Sequence, residues 1–190
     1  KKYINIEEWN NESILSGLMD SQYKAFDAVK NSLGKIENAV SLALTKLQNN
    51  SSSQIVYVGS GTSGRIGMLD GVELIPTFGW PNERLKFCFS GKDLSKPSEQ
   101  SEDDIELAKN DFNKSNITSN DVVVCIAASG KTKYTVTILE MAKQIGEDTK
   151  VTLDLKTIGM AGAGLAALIG LYFTLQADIA LAKELPEPLP

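Results

Sequence analysis

Ile55-Val56-Tyr57-Val58-Gly59-Ser60-Gly61-Thr62-Ser63-Gly64-Arg65 is the stretch that decides the fold. Four consecutive apolar residues form the short run that fills a strand buried on both faces of a parallel sheet. Gly59 ends the run, and a helix is expected to start within Thr62-Ser63-Gly64. The pattern recurs downstream. Residues 85–89 are a second apolar run, and residues 99–112 read as an acidic, exposed helix. Residues 122–126 are a third strand, closed by Ala127-Ala128-Ser129-Gly130, with a helix from about 135 to 145. Strands alternating with helices predict an α/β fold, a parallel sheet with helices on both faces. Ligands in such folds sit beyond the carboxyl ends of the strands, so residues 59–64 and 127–132 belong at one sheet edge.

Upstream, Ile14, Leu15, Leu18, Met19 and Tyr23 have helical spacing, and a second stretch carries Ala25, Val29, Leu33, Ile36, Val40, Leu44 and Leu47. Asn49-Asn50-Ser51-Ser52-Ser53 then punctuates the chain. This predicts an N-terminal helical arm over residues 1–50 and a ligand-binding domain over 51–190. Downstream, residues 151–155 read as a fourth strand, and residues 158–177 carry no charge. That length permits a membrane span. Its glycines, and the lack of a second such segment, favour a buried core or oligomer-interface helix instead. An extended Pro-rich tail closes the chain.

Composition narrows the chemistry. At 190 residues, with 42% hydrophobic and 23% charged residues, the chain has ordinary globular usage and enough length for a real core. A net charge of −5 gives no general attraction to nucleic acid or to an acidic membrane. There is no histidine. Ser-His-Asp and Cys-His catalysis and histidine-ligated metals are thereby excluded. Cys88 and Cys125 lie in apolar runs and read as small core side chains. No basic segment followed by an apolar one opens the chain, so a reduced, cytoplasmic, soluble protein is expected.

Residues 59–64 match G-x-G-x-x-G between a strand and a helix. The dinucleotide reading also wants an acid at the end of the second strand. Phe89-Ser90-Gly91 offers none, and Asp93 comes too late. Small residues that admit an anion to backbone N–H groups, with Thr62 and Ser63 as hydroxyl donors, account for the loop better. A plain glycine turn would leave those hydroxyls unexplained. Ser129-Gly130-Lys131-Thr132 resembles the tail of a P-loop, but the motif's first glycine would fall on Cys125. Two hydroxyl-and-glycine turns at one sheet edge, one with a cation, point to a phosphate site.

Without histidine, acid–base chemistry falls to carboxylates, Lys or Tyr. Glu73 stands among Val72, Leu74, Ile75 and Pro76. An acid there is expected to be partly desolvated and able to serve as a proton donor. Glu99, Glu102, Asp103, Asp104 and Glu106 read by default as a solvated helix face.

Taken together, the ordered motifs resemble a known family. Residues 58–65, Leu69-Asp70-Gly71-Val72-Glu73, residues 76–81 and residues 121–132 are similar to the N-acetylmuramic acid 6-phosphate etherases. These belong to the sugar isomerase (SIS) domain superfamily, which also holds the glucokinase regulatory protein. The likeness runs from roughly Leu15 to Gly146. It implies a flavodoxin-like sheet, a homodimer, and a lyase that cleaves the D-lactyl ether of N-acetylmuramic acid 6-phosphate. The products would be N-acetylglucosamine 6-phosphate and D-lactate, formed in cell-wall recycling by elimination and hydration. By the same resemblance Glu73 is the acid toward the ether oxygen and Glu102 the base at carbon 2, and no metal or cofactor is expected. Gly61, Thr62, Ser63, Gly64, Arg65, Ser129, Gly130, Lys131 and Thr132 would hold the phosphosugar. Lys131 stands where the family more often has arginine, which keeps the charge but loses bidentate geometry. Residues 147–190 depart from the family, lacking its basic stretch before the next helix. A noncatalytic sugar-phosphate sensor and an aldose–ketose isomerase are the alternatives.

Overall fold

The computed structural model describes residues 3–91 and 101–146. Two helices open it, α1 (Asn11–Lys30) and α2 (Leu33–Asn49). Then follow β1 (Ile55–Ser60), α3 (Gly61–Phe78), β2 (Leu85–Ser90), α4 (Ile105–Ser115), β3 (Val122–Ile126) and α5 (Lys133–Ile145). The strands form one parallel sheet in the order β2-β1-β3, with Val58 level with both Cys88 and Cys125. The third strand has the bounds expected for it. The fold is α/β, and this strand order is the start of the flavodoxin-like order. The strand expected at 151–155 and the apolar helix expected at 158–177 lie outside the described residues.

Alternation along β1 sorts the core into two layers, because successive side chains point to opposite faces. Val56 and Val58, with Cys88, pack under α4 and α5 against Ala108, Phe112, Tyr134 and Ile138. Ile55 and Tyr57 face the other way, toward Leu74 of α3 and Leu47 of α2. Helices therefore cover both faces, as expected. Both cysteines are free. Cys88 is buried and Cys125 packs beside the same cluster. Arg84 clips α2 to the sheet, donating from Nε to the Ser53 carbonyl at 2.7 Å and from a terminal nitrogen to the Leu47 carbonyl at 2.8 Å.

Several boundaries differ from the sequence reading: β1 and β2 run on to Ser60 and Ser90, and α5 starts at Lys133. The second N-terminal stretch breaks at Asn31-Ser32, leaving Ala25 and Val29 on α1. There the Ser32 hydroxyl donates to the Ala28 carbonyl at 2.9 Å, the kind of local bond by which Ser competes with helix continuation. Helix α3 begins at Gly61 rather than further on, and β1 runs into it directly. Helix α4 begins at Ile105, because Asp104 caps it by accepting from the Leu107 amide at 2.8 Å. Glu102 is thus on the turn before the helix and not on its solvated face.

Candidate active site

The ends of β1 and β3 are neighbours, yet their chains leave toward opposite faces of the sheet, β1 into α3 and β3 into α5. In open α/β sheets such divergence is where the ligand crevice lies, at the strands' carboxyl ends. On the β1 side the turn is tight because Gly59 and Gly64 touch; a β-carbon on either would strike the other's backbone. Gly64 is buried between Gly59 and Phe89, while Gly61 takes φ 53, a conformation that favours glycine. Thr62 is exposed, and Arg65 is half-buried one residue past Gly64. The Ser63 hydroxyl accepts from the Ala128 amide at 3.2 Å, which stitches the first loop to the second.

In the second loop Gly130 takes φ 62 and its amide donates to the Ala127 carbonyl at 3.1 Å. The Ser129 hydroxyl accepts from the Lys131 amide at 3.1 Å, and the Lys131 side chain is exposed. Thr132 precedes α5 without capping it through its side chain. Ser60 likewise does not cap α3. Its buried hydroxyl bonds instead to that of Ser90, its register partner on β2. Both helices thus present N-terminal amides uncapped by their own cap residues, the positive end of each helix dipole.

Glu102 joins these pieces. Its carboxylate lies against Gly61, in the space a β-carbon there would need. Its backbone carbonyl accepts from the Tyr134 amide in the first turn of α5 at 3.0 Å. Tyr134 is fully buried, and its hydroxyl donates to Asp111 of α4 at 2.7 Å, which braces α5 against α4.

Glu73 is placed differently. It lies twelve residues along α3 from Gly61, about 18 Å at 1.5 Å per residue. The expected desolvation is absent: Glu73 is exposed, accepting from the Thr77 hydroxyl at 3.4 Å. Its flanking residues spread around the helix, so that Leu74 is buried while Val72 and Pro76 face outward. The half-buried carboxylate on this stretch is Asp70, which accepts from the Tyr57 hydroxyl at 2.8 Å. Burial pushes Asp70 above the usual carboxylate range, and the Tyr57 bond partly opposes that.

Sequence reasoning missed Ser60, Ser90 and Tyr134. Ser60 could have been found as a cap-type residue just before the glycine helix. Ser90 needed the strand register, and Tyr134 needed the α4–α5 packing. Among the described residues no group of three or more acidic or Cys side chains could hold a metal ion. No helix among them is long and apolar enough to cross a membrane.

Sheet order and helix placement define a doubly wound α/β domain with its switch point between β1 and β3. The chain belongs to the SIS-domain family: the family model for the glucokinase regulatory protein N-terminal SIS domain matches residues 35–143, more than half of it. Among curated relatives, the N-acetylmuramic acid 6-phosphate etherase of Geobacillus thermodenitrificans is 38% identical over 151 residues, 78% of this chain and 50% of the relative. The etherases of Listeria welshimeri and Lactococcus lactis subsp. cremoris are each 35% identical, over 78% and 75% of this chain. The chain spans about half the length of these relatives.

Proposed function

We propose that this domain binds an amino-sugar 6-phosphate and cleaves its D-lactyl ether, acting on N-acetylmuramic acid 6-phosphate. The observation that carries this reading is the position of Glu102, with its carboxylate on the first residue of α3 and its carbonyl on the first turn of α5. A carboxylate there stands beside both loops whose hydroxyls and amides suit a phosphosugar: Gly61, Thr62, Ser63 and Gly64 on one side, Ser129, Gly130 and Thr132 on the other. Arg65 and Lys131 add positive charge.

In the proposed reaction the open-chain aldehyde acidifies the proton at carbon 2, and Glu102 removes it. The bond between carbon 3 and the lactyl oxygen breaks as Glu73 protonates the leaving alkoxide. Water then adds to carbon 3 of the unsaturated aldehyde while a proton returns to carbon 2. No cofactor enters these steps. The distance along α3 calls for Glu73 of the partner subunit, so the proposal includes a homodimer. It also includes cytoplasmic residence, no nucleic-acid or membrane partner, and a division into an arm (1–50) and a phosphosugar domain (51–190).

The test is D-lactate release from N-acetylmuramic acid 6-phosphate. Release is expected from the wild type and lost in Glu102→Gln and Glu73→Gln, while the ligand still raises Tm in both. A second reading, a noncatalytic sugar-phosphate sensor, is favoured by the exposure of Glu73. A rise in Tm without any lactate would select it.

A further inference from the structure

One face of α1 is apolar and uncovered. Leu15, Leu18, Met19, Tyr23 and Phe26 recur there at helical spacing, each with more than half of its surface exposed, from 52% for Leu18 to 66% for Tyr23. The helix buries only Gly17 and Val29. Five large apolar side chains in one stripe mark a contact surface rather than scattered surface residues.

We propose that this face pairs with the same face of a second copy, helix against helix and antiparallel, about a twofold axis between Asp20 and Ser21. A twofold contact sets residue i against j and j against i. Four of the five side chains meet that condition. About this centre Leu15 falls level with Phe26 of the second copy and Leu18 with Tyr23, each pair occurring twice, while Met19 falls level with Gln22. Glu12 and Lys30 lie eighteen residues apart, about five turns, and so share one line along the helix, at the two ends of the stripe. In the antiparallel pair Glu12 comes within one residue of level with Lys30 of the second copy, giving opposite charges at both ends. A parallel pair would set Glu12 against Glu12 and Lys30 against Lys30, and like charges repel. Four of the five apolar positions and the opposite end charges thus find their partners in a second copy, which is why the occupant is this chain itself. The inference rests on the homodimer proposed above, whose surface it names, and not on the sugar chemistry.

Sedimentation equilibrium at micromolar concentration tests it. The wild type is expected to be dimeric, and Leu18→Glu or Phe26→Glu to weaken the dimer by at least about tenfold, as for a central contact residue. Both side chains are exposed, so unchanged far-UV circular dichroism is expected. Oxidative cross-linking reads the direction: Leu15→Cys mixed with Phe26→Cys should form a mixed disulfide dimer, and Leu15→Cys alone should not. A dimer indifferent to both Glu variants would overturn this surface while leaving the homodimer standing. A monomeric wild type would overturn both. Self-cross-linking of Leu15→Cys would overturn the antiparallel arrangement. Slow amide exchange along α1 in a monomer would assign the cover to residues 147–190 instead.

Discussion

The carboxylate of Glu102 occupies the space that a β-carbon on Gly61 would fill. Gly61 also takes φ 53, so two separate demands exclude a side chain there. Gly79, at the other end of α3, takes φ 64 with nothing within 4 Å of a built β-carbon. The pair therefore separates backbone strain from displacement of Glu102. Gly79→Ala should cost about 1 kcal/mol of stability and leave turnover intact. Gly61→Ala should cost at least as much and lower kcat by more than about tenfold, because misplacing a catalytic group is expensive in rate. Urea unfolding and lactate release measure the two effects.

Ser90 should act on ligand binding without touching the ligand. Its bond to Ser60 holds the hydroxyl that would otherwise cap α3, and the Ser60 backbone is already extended as a cap residue requires. In Ser90→Ala the freed hydroxyl should cap the Thr62 or Ser63 amide and weaken sugar-phosphate binding by about fivefold, matching a capping energy near 1 kcal/mol. The Ser60→Ala/Ser90→Ala double variant should recover wild-type affinity, and calorimetric titration of the wild type, both single variants and the double variant reads the cycle.

Most of the fold was legible because apolar runs and glycine punctuation are local signals. Residues 55–58 and 122–126 announce strands, and alternation along β1, the buried one, then divides the core. The site was legible only in part. The two loops follow from their glycines and hydroxyls, but Glu102 reads as a solvated helical acid until the Asp104 cap delays α4. Glu73 shows the opposite failure. Apolar neighbours in sequence suggested burial, yet a helix spreads consecutive residues around its axis, and Glu73 faces out with Val72. The Ser60–Ser90 pair depends on strand register, which no local pattern carries.

Asp70 should be a stability liability at neutral pH. Burial raises it, with the Tyr57 hydrogen bond opposing, so folding favours its protonated form. A raised carboxyl contributes stability that is full below its unfolded value and lost as pH rises through its folded value. Asp70→Asn, which keeps an acceptor for Tyr57, should therefore raise Tm at pH 7, and the gain should vanish below the unfolded carboxylate value of 3.8. Thermal unfolding across that range checks the sign.

Alkaline pH should unfold the domain through its buried acids. Burial pushes the Cys125 thiol from 9.0 up to about 12, and burial likewise raises Tyr134 and Tyr57. Each contributes stability that is full below its unfolded value and lost as pH rises through its folded one. The urea midpoint should fall from pH 9 upward, and Cys125→Ala should flatten the first part of that fall. In the native protein at pH 8 both thiols should resist alkylation until urea exposes them.

In the proposed reaction Glu102 takes the proton from carbon 2 while the lactyl oxygen leaves from carbon 3. Turnover of N-acetylmuramic acid 6-phosphate in deuterium oxide, read by mass spectrometry and proton NMR, tests it most directly. Released N-acetylglucosamine 6-phosphate should carry solvent deuterium at carbon 2, and Glu102→Gln should yield neither product nor exchange. Lactate released with the original hydrogen still at carbon 2, or undiminished turnover by Glu102→Gln, would contradict it.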